Sequence, residues 1–420
     1  MRFGGRRLLI ASPNVRQYGH LALEILMSLG FARKDGADVY FVRPSAPLGA
    51  GLFELESPEL RVLRPNPLVR QLLRGCMAWR TFRDRVDDWR EEAREQVERE
   101  FVREVTRYVV DPAMPQPVRE GLRGARGRLR KALEKMARDR RKRPTYFQRR
   151  LLSETVPVQL NPAAAERAAA EALAHGIASD ARIVCIHARE AGYKLGNEIQ
   201  DSKPHAGRDD RVRNARIESY FAATDYLTAR GYTVVRLGDP SMTPVTHPGV
   251  IDLATSSARS NLLETYCMLR AELLIAGESG LAGVTYLTNT PFLLVNSTEA
   301  ISSYPIRAPG LFLPKTIVDK RDGRRLASVD LLGDEYHRQF RDTRRYLYVD
   351  NTPEEIRAAT EEMLEWTGGR WTESPGQQAY HEAAMTAAAH LHRRSNYVRK
   401  WGLDKGFLGD GRIARVALES

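Results

Sequence analysis

His187 and Arg189 close the apolar run IVCIHARE, and further along the chain the run LLIAGESGLAGVTYL turns at Gly277, Glu278, Ser279 and Gly280 into a helix. An arginine offers a planar fork to two phosphate oxygens and stays charged at any relevant pH. A strand-to-helix turn at Ser279 and Gly280 offers free backbone N–H groups and the positive end of a helix dipole. Two such strand ends in one sheet make convergent anion sites, and the ligand they suit is a nucleotide diphosphate. Each residue also has a plainer reading. Arg189 can pair with Glu190 or Asp210, and Ser279 can be an ordinary N-cap. His187 precedes Arg189 by two and so shares its face of a strand; it either donates to a phosphate or the acceptor, or is a hydrogen-bonded core residue. Glu278 is placed to meet a ribose diol or ring.

Polar residues gather at other strand ends too, where open parallel sheets bind their ligands. The run YTVVRLGD ends in Arg236, Gly238 and Asp239. DLATSSARSNLLETY sets Ser256, Ser257, Arg259 and Ser260 before a helix, a second N-terminal cradle in which at least one serine is only a cap. Arg213 and Asn214 in DDRVRNARIESY can clamp either substrate. Near the start, Gly19 and His20 mark a strand-to-helix turn, so His20 is a candidate acceptor base with a pKa naturally near neutral, or simply a polar helix start. The chain holds no HExxH, GxSxG, Walker, EF-hand or CxxC pattern, which removes the simplest support for protease, serine hydrolase, P-loop kinase and zinc readings. No metal site is expected.

The elements that must position these residues are α/β in type. RRLLIASPN reads as a strand, HLALEILMSLGF as a helix closing at Gly30, ADVYFVRP as a second strand and LRVLRP as a third. From 161 on, strand and helix alternate strictly through ARIVCIHA, RIESYFAATDYLTARG, YTVVRLG, GVIDLA, SNLLETYCMLRA, ELLIAGE, SGLAGVTYLTN and PFLLVNS, which implies a parallel sheet with right-handed crossovers. NTPEEIRAATEEMLEWTGG is a helix with Asn351 or Thr352 as its cap. Between 67 and 150 long charged helices interrupt the first domain; they read as a solvated insertion.

At 420 residues the chain exceeds one typical domain, and 42% hydrophobic content supports a buried core. Three widely spaced cysteines, Cys76, Cys185 and Cys267, read as buried thiols of a cytoplasmic protein. No apolar run reaches the length of a membrane span. A net charge of +12 favours anionic partners, and much of the excess lies in 121–144, which could touch an anionic membrane. Aromatics at 8% and the lack of a known module speak against specific nucleic-acid binding, although a basic nucleic-acid-binding protein is the alternative from a different class.

VCIHARE, DDRVRNARIESYFAATDYLTARGYTVVRLGD, DLATSSARSNLLETYCMLRAELLIAGESGLAGVTYLTNTPFLLVN and NTPEEIRAATEEM together resemble a family of bacterial glycosyltransferases distantly similar to fucosyltransferases, of the GT-B fold. The resemblance implies two Rossmann-like domains facing a cleft: 1–160 on the acceptor side with the insertion, 161–374 binding the nucleotide sugar, and 375–420 as helices returning to the first domain. It implies a nucleotide-sugar co-substrate, an unknown acceptor and no metal. It carries a diphosphate-binding role to His187 and Arg189 and a role for the turn to Ser279 and Gly280. The family's pattern more often reads His-x-Arg-Asp, and Glu190 stands here in the last place. An epimerase or phosphorylase on the same fold is the enzymatic alternative.

Overall fold

The computed structural model describes residues 2–3, 6–11, 18–41, 50–58, 149–190, 209–394 and 407–419. The chain divides into two compact units, Met1–Leu63 with Tyr146–Ser420 and Arg64–Thr145, and every described residue belongs to the first. The expected third N-terminal strand, all but the end of the charged insertion and the whole basic stretch 121–144 lie outside the described residues.

At the N-terminus, β1 (Arg2–Phe3) runs antiparallel to β2 (Arg6–Ala11), and β2 is parallel to β3 (Ala37–Phe41). Between them α1 (Tyr18–Asp35) does not close at Gly30 as its glycine suggested. Its buried stripe of Leu21, Ile25, Leu26, Leu29 and Ala32 continues past that point, and Gly36, at φ +58°, ends it. Arg33 and Lys34 sit in the last turn, where they complement the helix dipole. A 3₁₀ turn (Ala50–Glu54) leads to β4 (Leu55–Glu56), which pairs with β5 (Gln159–Leu160) after the short α2 (Arg149–Ser153).

The rest alternates as expected: α3 (Pro162–Ala174), β6 (Arg182–His187), α4 (Phe221–Thr228), β7 (Tyr232–Arg236), β8 (Val250–Asp252), α5 (Asn261–Arg270), β9 (Ala271–Ala276), α6 (Leu281–Thr288) and β10 (Phe292–Ser297). Then follow β11 (Gly310–Pro314), β12 (Thr316–Asp319), α7 (Asp334–Gln339), β13 (Tyr346–Val349), α8 (Pro353–Thr367), α9 (Pro375–Arg394), β14 (Arg412–Ile413) and α10 (Val416–Glu419). Thr352 caps α8 with Glu355 in a reciprocal capping box; Asn351 instead exchanges hydrogen bonds with Asn296 at 2.7 Å.

Seven strands form one sheet in the order β8-β7-β6-β9-β10-β11-β14, every neighbouring pair parallel. Alternate residues of each strand face opposite layers. Ile183, Cys185, Leu274, Ala276, Leu294 and Phe312 join a core with α1, α3, α5, α6 and α9, while Val184, Ile186, Leu273, Ile275, Leu293 and Leu311 join a second with α4 and α8. Each fully buried aliphatic of this kind contributes about 1.5–3 kcal/mol. The chain leaves β6 toward β7 on one side and returns to β9 on the other, so the strand order reverses between β6 and β9. A crevice opens at the carboxyl ends of strands at such a point.

The segment after Pro375, expected to return to the first domain, is built chiefly into this sheet: β14 pairs with β11 as its outer strand. It also meets α2, where buried Arg149 donates to the carbonyls of Tyr304 at 3.3 Å and of Leu408.

Candidate functional site

The carboxyl ends of β6 and β9, where the strand order reverses, carry a cluster of charged residues. Arg189 follows β6 by two residues and is partly buried. Its Nη1 donates to the carbonyl of Asp210 at 3.1 Å and to Oδ1 of Asn214. Among the described residues it has no carboxylate within ion-pair distance, and its Nε and Nη2 make no hydrogen bond. Burial, then the neighbouring Arg213 charge, pulls its pKa down to about 10, so it stays protonated near neutral pH. The alternative ion pair with Glu190 or Asp210 is therefore not what holds it; of Asp210 it takes only the backbone oxygen.

Around Arg189 the other charges are interlocked. Arg213 pairs with Asp210 at 3.0 Å. Arg341, buried, spreads its fork over Thr298 Oγ1 (2.9 Å), Asp210 Oδ1 (3.2 Å) and Glu278 Oε2 (2.9 Å). Glu278 also accepts from the hydroxyls of Ser297 (3.0 Å), Thr298 (2.7 Å) and Ser303 (2.9 Å) and from the Thr298 N–H (3.0 Å). Burial alone would raise its pKa, but Arg341, Arg213 and these donors outweigh burial and hold it below the usual carboxylate range. With both oxygens so engaged, Glu278 braces the turn and has little left for the ribose contact expected of it.

One residue on, Ser279 buries its Oγ with no partner among the described residues. It is not the cap of α6: Gly280 holds that position and supplies no side-chain hydrogen bond. Gly280 meets the first turn of α1. A Cβ on Gly19 would lie 2.3 Å from the Gly280 carbonyl oxygen, and one on Gly283 would lie 2.8 Å from that of Gly19. Glycine at these places lets two helix N-termini approach closely, and the positive ends of both dipoles point into the same region. His20 lies in this first turn of α1, partly buried.

The neighbouring β6–β7–β8 corner is different. Arg236 is wholly buried and held through its two Nη atoms by Glu190 (2.9 Å), Asp252 (3.0 Å) and the Thr243 carbonyl (2.7 Å), while its Nε has no partner among the described residues. The second oxygen of Glu190 accepts from Thr243 N at 3.0 Å. Arg236 and Glu190 thus form a structural pair, not the open ligands anticipated. Gly238 packs so tightly that a Cβ there would lie 2.4 Å from Met242 Sδ, and its N–H donates to Glu264 at 3.3 Å. Ser260 caps α5 by accepting from Leu263 N at 2.9 Å, and Arg259 pairs with Glu264 at 3.0 Å. Ser257 is exposed on the loop before them.

His187 lies between the two corners. Its Nδ1 is 2.9 Å from the Leu237 carbonyl, which can only accept, so Nδ1 carries the proton and Nε2 the lone pair. Burial lowers its pKa to about 4, with the Arg236 and Arg189 charges adding to the effect. A neutral imidazole in this tautomer cannot donate from Nε2, which revises the expected donation to phosphate into acceptance.

Sequence reasoning missed Arg341, Lys315 and Asp350. Lys315 Nζ donates to the Asn214 carbonyl at 2.8 Å and pairs with Asp350, fixing the far end of the loop that holds Arg189. Arg341 sits among other charged residues in RDTRR, where nothing in the pattern sets it apart. Among the described residues no group of three or more His, Cys, Asp or Glu side chains is arranged to hold a metal ion, and no helix is long and apolar enough to cross a membrane.

No protein-family model matches the chain, and no curated protein matches it. Among solved structures, the glycosyl transferase family 9 protein from Veillonella parvula DSM 2008 is similar over 38% of this chain and 42% of its own, at 19% identity and a TM-score of 0.28. The likeness thus spans less than half of that protein.

Proposed function

We propose that the chain is a glycosyltransferase that takes a sugar from a nucleotide-diphosphate donor, with the diphosphate bound at the β6–β9 crevice. The observation that carries this reading is Arg189: a partly buried guanidinium with no carboxylate in ion-pair distance among the described residues, its Nε and Nη2 making no hydrogen bond there, where the strand order reverses. Asp210 and Glu278 offset part of the Arg189 charge from a distance, and an anionic ligand in direct contact would offset the rest. A diphosphate would accept from Nε and Nη2 of Arg189, from the Ser279 hydroxyl and from N–H groups at the start of α6.

In this scheme the negative charge that grows on the departing diphosphate is neutralised by protein donors already in place, so no metal is called for. The sugar passes through an oxocarbenium-like state. His187, neutral, accepts a hydrogen bond from a donor or acceptor hydroxyl. His20, in the first turn of α1, is the candidate that takes the acceptor proton.

The test is Arg189→Ala with a panel of nucleoside diphosphates and nucleotide sugars. Wild-type protein should gain thermal stability with one base, since a ligand at a hundredfold excess over its Kd adds about 2.7 kcal/mol. The variant should lose turnover by about 10²–10³ while keeping its melting temperature. Unchanged transfer in Arg189→Ala would remove the assignment, and absence of any nucleoside-diphosphate effect on the wild type would remove the donor class.

A further inference from the structure

We infer that Arg341 is a positioning residue that sets Arg189 in place by cross-bracing the two strand ends of the crevice, an inference that rests on the diphosphate reading above. Arg189 is oriented by two groups, the Asp210 carbonyl and the Asn214 side chain, both on the loop 209–216. That loop is held at each end. At its far end Lys315 and Asp350 fix the Asn214 carbonyl and the Arg216 N–H. At its near end the Arg341 carbonyl accepts from Asp209 N at 2.8 Å, and the Arg341 fork reaches Asp210 Oδ1.

The same fork grips Glu278, which directly precedes Ser279. One side chain therefore spans from the loop that aims Arg189 on the β6 side to the turn on the β9 side that carries the Ser279 hydroxyl, which has no partner among the described residues. A planar group with donors at fixed angles can hold three acceptors in a set geometry, whereas a lysine of equal charge cannot. The backbone agrees with a special role. Arg341 has φ +62°, a left-handed conformation that costs a non-glycine residue of order 1 kcal/mol, and such strain concentrates where the surroundings fix a residue for a purpose. All three arms of the guanidinium are already engaged, so Arg341 acts on the ligand through Arg189 and the Ser279 turn.

The experiment uses inorganic pyrophosphate as the probe and measures its Kd by calorimetry on the full chain, for wild type, Arg341→Lys, Arg189→Ala and the double variant. Arg341→Lys keeps the charge and loses the fork; pyrophosphate should bind at least tenfold more weakly. In the double variant the Arg341→Lys loss should be smaller than in the wild-type background, because only the Ser279 turn is left for the brace to hold. Wild-type affinity in Arg341→Lys, or losses that add in the double variant, would overturn the inference while leaving the diphosphate site standing. Wild-type affinity in Arg189→Ala would overturn both. If Arg341→Lys does not fold, Asp210→Asn decides: it weakens the loop's grip from a partly exposed position, and pyrophosphate binding should fall severalfold, whereas unchanged binding would refute the brace.

Discussion

Two corners of one sheet, a single strand apart, treat arginine in opposite ways. At the β6–β7–β8 corner Arg236 lies between Glu190 and Asp252, and at the β6–β9 corner Arg189 has no carboxylate within ion-pair distance among the described residues. The residue types are the same; Arg236 is the last residue of β7 and Arg189 lies two residues past the end of β6. What differs is the connection. Successive strands β6, β7 and β8 march in one direction, so the loops above them pack on one another and bring Glu190, Thr243 and Asp252 together. Between β6 and β9 the connections diverge, and the space they leave is lined by groups that do not cancel. An arginine at a strand end is thus held by carboxylates or by neutral acceptors according to which strand lies beside it.

That contrast can be broken most forcefully at the closed corner. Arg236→Met leaves Asp252 and Glu190 without their partner and should lower unfolding stability by about 3–5 kcal/mol in denaturant titration; a loss below 1 kcal/mol would mean the corner is not closed. At the wall of the open corner, Gly19→Ala drives a methyl into the Gly280 carbonyl and should cost about 1–3 kcal/mol in the same titration and weaken nucleoside-diphosphate binding with it.

His187, shared by the two corners, gives a pH signature. Its folded pKa of about 4 lies below the unfolded value of about 6.5, so the unfolded chain binds the proton first and stability falls as pH drops through that window. Wild type should lose on the order of 1 kcal/mol more than His187→Gln between pH 6.5 and 5.5. Equal slopes would show the imidazole to be solvated. The smallest effect is expected from Arg189→Met on stability alone: within about 0.5 kcal/mol of wild type, because no ion pair is lost. A large drop would make Arg189 a structural tie after all.

The strands β6 to β10 and their helices were legible because apolar runs, glycine turns and caps agree with one another there. Both strand ends of the crevice were legible for the same reason. Beyond β10 the helix α8 was legible from its Thr352 cap and Pro353, but the strands were not: β11 is a five-residue run, GLFLP, with no helix of ordinary length directly after it, and β14 is two residues long. Gly30 misled because a buried helix tolerates glycine where its neighbours keep the stripe. Arg236 misled because its partners, Glu190 and Asp252, are far apart in sequence and only pairing of β6, β7 and β8 unites them. Arg341 was invisible since its meaning lies in three acceptors from three separate segments.

The outer strand of the sheet has one more consequence, for synthesis. While a ribosome is still delivering the residues before Arg412, β11 is an unprotected margin with every side chain from Gly310 to Pro314 destined for the interior. A margin of that kind recruits other strands. Prematurely terminated copies should therefore clump, and a holding chaperone would find its task in the interval before the last strand emerges.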